Sequence, residues 1–202
     1  ADAPGMLTVL AATPETVMPA RSDAPIGAPC WVDLSSSDPA ASKAFYGALF
    51  GWSARESGEE FGHYATFELD GVPVAGCMAS QDPAMPDAWL VYLATDAIDA
   101  VAASAEAHGG QVLMAPMPVG PLGSMAILLD AGGAAVGAWQ PGEHRGIGVL
   151  AEPGAPSWFE LHTRGYVASL AFYRSVFGWD LHTMSDAPEF RYTTLGEGET
   201  AL

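Results

Sequence analysis

The chain has 202 residues, of which 50% are apolar, 10% aromatic and 15% charged, enough to build a packed core and too little charge for a disordered chain. Seven basic residues, with Lys43 the single lysine, stand against 24 carboxylates for a net charge of -17. That field repels nucleic-acid phosphates and anionic lipid and draws in small cations, although an acidic surface also serves plain solubility.

Near the N-terminus the apolar run Leu7 to Ala12 lacks a basic flank and is too short for a signal core or a membrane span, so residues 1–26 are read as an N-terminal arm and a cytoplasmic location is expected. Cys30 and Cys77 match no zinc or redox spacing and read as free cysteines on strands. From residue 30, CWVDLS alternates as a strand does. Asp38 then stands ready to cap a helix, with Pro39 at its first position. Ala41, Ala44, Phe45, Ala48 and Leu49 make one apolar stripe, and Gly51 suits the helix end. After Trp52 an acidic turn leads into HYATFEL, the turn pair Asp70 and Gly71, and VPVAGCM, a hairpin. This is a βαβββ unit over 27–80.

A second such unit is expected over 88–141: AWLVYLAT, a helix from Asp96 to about His108, then QVLMAPMPV, SMAILL and AAVGAWQ, separated by GPLG and DAGG turns. Residues 142–156 carry glycine and proline at both ends and read as a linker. A third unit starts at 157. SWFELHTRGYVASLAFYRSVFGW at 157–179 repeats CWVDLSSSDPAASKAFYGALFGW at 30–52 with a constant displacement of 127 positions, and Trp31, Asp38 and Gly51 recur more faintly as Trp89, Asp96 and Gly109, 58 positions on. The third unit runs over 157–202 and its last strand is incomplete. Two completions are expected: one further unit in a longer protein, or two chains pairing their third units as a homodimer. Either would cover strand edges otherwise left open.

The stretches SSSDPAASKAFYGALFGW and YVASLAFYRSVFGW and the closing LLDAGGAAVGAWQP resemble the vicinal oxygen chelate superfamily, which contains glyoxalase I, extradiol dioxygenases, fosfomycin-modifying enzymes and bleomycin-binding resistance proteins. The resemblance implies an α+β fold in which paired βαβββ units form an eight-stranded curved sheet around a cup. It also implies where metal-dependent members place ligands: a His or Gln seven residues before the helix-capping Asp, and a Glu on the last strand. Those positions hold Trp31, Trp89 and Gly137, none of which can bind a divalent cation, so no metal and no other cofactor is expected. His162 could pair with Glu160 on one strand, but a polar strand end near the surface explains both.

Strand alternation places Trp31 and Asp33 on one face, Trp89 and Val91 on another and Trp139 on a third. With Met78, Met114 and Met125 as adaptable apolar walls, and Trp158 and Glu160 as third-unit counterparts of Trp31 and Asp33, these ten residues form the expected ligand-binding set. Asp33 must meet an internal donor or a ligand's cation. The reading is a small-molecule binder that sequesters or presents an aromatic, cationic natural product, such as an antibiotic, in resistance or biosynthesis, with no nucleic-acid or membrane partner and no catalytic residue. The same tryptophans could instead fill the cup as an ordinary core. The alternative function is a glyoxalase-like lyase, dioxygenase or hydroxylase with a relocated or metal-free site. A third possibility is an oligomerisation scaffold.

Overall fold

The computed structural model describes residues 21–82 and 84–196. Most of the expected N-terminal arm, and the residues after 196 in the third unit, lie outside them. The first unit consists of β1 (Pro29–Ser36), α1 (Pro39–Phe50), β2 (Ser53–Glu56), β3 (Ala65–Leu69) and β4 (Val72–Ala79). The second consists of β5 (Ala88–Ala94), α2 (Ile98–Ala107), β6 (Gln111–Pro118), β7 (Gly123–Leu129) and β8 (Ala135–Pro141). Together their strands make one curved eight-stranded sheet in the order β2-β3-β4-β1-β5-β8-β7-β6. The two units meet at its centre, where β1 runs antiparallel to β5 and each lies parallel to the last strand of its own unit.

Helix starts follow one local device. Ser36 Oγ accepts from Asp38 N, Thr95 Oγ1 from Ala97 N and Thr163 Oγ1 from Gly165 N, at 3.0 to 3.1 Å. A hydroxyl two residues before the turn thus leads the chain into each helix, in the first two units directly out of a strand. Asp38 also caps α1 through Ala41 N at 3.0 Å. Aligned on these hydroxyls, the first and second units are displaced by 59 positions, not the 58 that the tryptophans suggest.

That single residue decides the faces. Trp31 stands opposite Tyr92, Asp33 opposite Leu90 and Ser35 opposite Ala88, while Val32 stands opposite Val91 and Leu34 opposite Trp89. A shift of one residue turns a whole strand over. Trp89 and Val91 therefore do not share the cup face with Trp31, contrary to the alternation argument: Val91 packs into the helix-side core and Trp89 donates from Nε1 to Tyr46 Oη of α1 at 3.0 Å. The counterparts of Trp31 and Asp33 are Leu90 and Tyr92.

On the helix side, one core joins Leu34, Phe67, Val74, Ala75 and Cys77 under α1, and another joins Leu93, Ala126, Leu128 and Val136 under α2. The second core also takes in α3 (Tyr166–Phe177), which precedes the hairpin of β9 (Leu181–Ala187) and β10 (Phe190–Leu195). Two expectations fail here. Residues 157–163 form no strand. The segment read as a linker is instead a packed strap: Ile147 is 2% exposed, its N–H bonds to Cys30 O at 2.8 Å, and Gly148 N bonds to Pro73 O at 2.8 Å.

Candidate functional site

The cup face of the sheet carries a closed polar circuit at its centre. Trp31 Nε1 donates to both Asp33 Oδ1 and Tyr64 Oη, each at 2.8 Å, and Tyr64 Oη donates to Asp33 Oδ1 at 2.5 Å. The Tyr92 hydroxyl also helps to lower the Asp33 pKa, less than Tyr64 and Trp31 do. Asp33 is 8% exposed, and burial raises its carboxyl above the usual range against the pull of these donors. The Tyr64 and Tyr92 hydroxyls are both held well above the ordinary phenol value, first by burial and then by the neighbouring carboxylate.

The backbone makes room for this circuit. Asp33 pairs with Gly76 on β4, and Tyr92 pairs with Gly137 on β8. A Cβ at Gly76 would overlap the Tyr64 hydroxyl and the Asp33 carboxylate, and one at Gly137 would overlap the Tyr92 ring. The two glycines are equivalent in their units. At the last-strand position where the resemblance implies an acidic ligand, the second unit thus has an aromatic ring seated on glycine. Among the described residues no group of three or more His, Cys, Asp or Glu is arranged to hold a metal ion.

The strap closes one end of the cup. His144 meets Trp31 edge to face, with centroids 4.3 Å apart, and Trp139 at 5.5 Å, while Trp139 Nε1 donates to His144 O at 3.0 Å. Burial, helped by the Arg55 charge, lowers the His144 pKa to about 4, which keeps the imidazole neutral between the indoles. Trp31 and Trp139 are 4% and 7% exposed, in one core with Cys30, Tyr92, Ala94 and Ile147. At this end the tryptophans do fill the cup. The rest of the concave face is more open: Met78 opposite Ser35, Met125 opposite Trp139 and Ile127 opposite Gly137 are half-buried, and Met114 beside Ile127 is 39% exposed.

Six of the ten expected residues, Trp31, Asp33, Met78, Met114, Met125 and Trp139, thus share the cup face. Tyr64, Tyr92 and His144 join them without having been foreseen. Aligning the units on their helix starts would have revealed Tyr92 as the counterpart of Asp33, whereas nothing local marks Tyr64 or His144. Trp89 and Trp158 come together elsewhere, in an aromatic groove of about 410 Å³ on the helix side with Val32, Tyr46, Phe50 and Trp52. Glu160 sits on the surface, hydrogen-bonded to His162 Nε2 at 3.1 Å, with Trp158 first and His162 second in lowering its pKa.

A curved sheet of two βαβββ units around a cup defines a protein of the vicinal oxygen chelate type. The sequence model of the Glyoxalase/Bleomycin resistance protein/Dioxygenase superfamily matches residues 30–137, and the chain belongs to this family. It is 41% identical over 167 residues to the anthracycline biosynthesis protein DnrV of Streptomyces peucetius, a match covering 75% of this chain and 61% of that protein. It is 38% identical over 191 residues to CFP32 of Mycobacterium tuberculosis (strain CDC 1551 / Oshkosh), covering 92% and 73%. The chain therefore spans about six-tenths of DnrV and about three-quarters of CFP32. The Mn(II)-bound glyoxalase from Novosphingobium aromaticivorans shares the fold at a TM-score of 0.56 and 20% identity, over 77% of this chain and 54% of that one. No helix among the described residues is long and apolar enough to cross a membrane.

Proposed function

We propose that this chain binds an aromatic natural product in its cup and holds it without chemical change, in the biosynthesis of an antibiotic or in protection from it. The observation that carries this reading is the closed circuit at Asp33. The Asp33 carboxylate at the centre of the cup face is already engaged by Trp31 and Tyr64, so its charge is spent inside the protein and is not offered to a substrate. Around it the accessible surface is Met78, Leu90, Met114, Met125 and Ile127, a polarisable wall that adapts to a flat apolar ligand. The relationship to a protein named for anthracycline biosynthesis supports an aromatic ligand. The net charge of -17 favours a cationic one, held by the field of the acidic surface more than by Asp33.

Calorimetric titration with a panel of cationic polycyclic antibiotics tests the proposal, with the recovered ligand checked by mass spectrometry. One-to-one binding, weakened by Met125→Lys and with the ligand recovered intact, is the expected result. No binding across the panel, or binding indifferent to Met125→Lys, would sink it.

One observation favours a second reading, metal-free acid-base catalysis. The 2.5 Å Tyr64–Asp33 bond, together with a carboxyl raised by burial, is an arrangement that can store and return a proton. Ligand converted during the titration, with conversion abolished in Asp33→Asn and Tyr64→Phe, would establish that reading in place of the first.

A further inference from the structure

Three of the residues expected in the cup, Trp89, Trp158 and Glu160, meet outside it. Trp89 and Trp158 line the helix-side groove with Tyr46, Phe50 and Trp52. Glu160 stands beside Trp158, whose indole does most to hold that carboxyl below its ordinary range. The groove encloses about 410 Å³, a volume within the span of small-molecule sites, about 300–1,000 Å³.

The cup and the groove offer different surfaces. In the cup the indoles of Trp31 and Trp139 are buried, whereas Trp89 is 39%, Phe50 41% and Trp158 69% exposed. An open aromatic patch with a polar rim marks a site of interaction. Its rings stand in two orientations: Trp52 and Phe50 lie 23° and 19° from the Tyr46 plane and Trp89 74° from it, with centroids 5.4 to 6.1 Å away. Their polar edges are already used, since Trp52 Nε1 donates to Gly154 O at 2.7 Å and Trp89 Nε1 to Tyr46 Oη at 3.0 Å. What remains for a ligand is π surface, negative on its faces, with the Glu160 carboxylate beside Trp158 and a net charge of -17 on the chain.

A surface of this kind selects a cation that needs no hydrogen-bond acceptor. A primary ammonium carries three N–H donors, which would give up water and find few acceptors here, because Glu160 is already hydrogen-bonded to His162 Nε2 at 3.1 Å. A fully alkylated ammonium presents its charge through carbon-bound hydrogens and packs on ring faces without that cost. We infer that the groove of Tyr46, Phe50, Trp52, Trp89 and Trp158, with Glu160 at its rim, is a second ligand site, which takes the quaternary ammonium group of a small molecule. The sheet separates it from the cup: on β1 and β5, Val32 and Trp89 face the helix side while Trp31 and Asp33 face the cup. The inference therefore stands or falls independently of what the cup binds.

Nuclear magnetic resonance titration with tetramethylammonium chloride, following the indole N–H signals of Trp89 and Trp158, tests this. Sodium chloride at matched ionic strength and tert-butanol, a neutral molecule of similar size, are the references. Saturable shifts of both signals are expected, with tetramethylammonium bound about tenfold more tightly than tert-butanol. Trp158→Leu keeps an apolar side chain without the ring and should weaken binding several-fold, while Trp158→Tyr should restore most of it. Both variants should fold, because Trp158 is exposed. Glu160→Gln should weaken binding about twofold, and Met125→Lys, in the cup, should leave it unchanged. Absence of a saturable shift overturns the inference, as do equal binding of tert-butanol and the same shifts with sodium chloride. Undiminished affinity in Trp158→Leu also overturns it, and loss of binding in Met125→Lys would place the cation in the cup instead.

Discussion

Tyr64 donates a 2.5 Å hydrogen bond to Asp33 from the threshold of β3, thirty-one residues along the chain, and the same hydroxyl receives Trp31 Nε1. Replacing Tyr64 by Phe leaves the buried carboxylate short of a donor, at a cost of about 1–3 kcal/mol, measurable by urea unfolding at pH 7. A carboxyl raised in the folded state stabilises fully below its unfolded value and loses that contribution as pH rises through the folded value. Because the Tyr64 bond lowers the Asp33 pKa, this loss should extend to higher pH in Tyr64→Phe than in the parent.

His144 titrates with the opposite sign. Its pKa of about 4 in the fold lies below the ordinary 6.5, so its contribution is complete above about pH 6.5 and is lost as pH falls toward 4. The loss should reach roughly 2 kcal/mol, discounted from the full shift for partial exposure. A pH series of thermal unfolding should show this slope in the parent and a flatter one in His144→Phe.

Gly137 carries the Tyr92 ring where a side chain would otherwise stand. Gly137→Ala should cost about 3 kcal/mol or more, because ring and strand must both move. The penalty should shrink when Tyr92→Leu is introduced with it, as expected for directly coupled neighbours. Additive losses in the double-mutant cycle would refute the packing account.

Phe45 and Phe172 are the same residue of two copies of one helix. In the 202-residue chain Phe172→Ala should destabilise by about 3–5 kcal/mol and Phe45→Ala by no more than about 0.5 kcal/mol. Comparable losses would mean that the α1 face is already covered in this chain.

Much of the fold could be read in advance because its signals are local. Asp38 with Pro39, the αL glycine at 51 and the Asp70–Gly71 turn mark element ends by their own chemistry, and the repeated paragraph at 30 and 157 marks the copies. The site was legible only in part. Trp31, Asp33, Met125 and Trp139 fell on the cup face as alternation requires, yet Trp89 and Val91 did not, since matching tryptophan to tryptophan set the second unit one residue out of step. Tyr64, just before β3 in the run read as a strand, was not singled out because alternation gives a face and not a partner, and His144 was invisible because it reaches the cup from the strap, where no periodicity directs a side chain.

By itself the sequence determined the repeat, the caps, the strand and helix periods and the absence of ligating side chains at Trp31 and Gly137, all of which are properties of neighbouring residues. Tertiary structure alone decided which face each strand presents, that Asp33 is satisfied from within, that the segment read as a linker closes the cup, and that Phe172 is buried while its counterpart Phe45 is exposed. The reason is physical: a β register has a period of two, so an error of one residue reverses burial, and pairings between distant segments leave no trace in either segment's own composition.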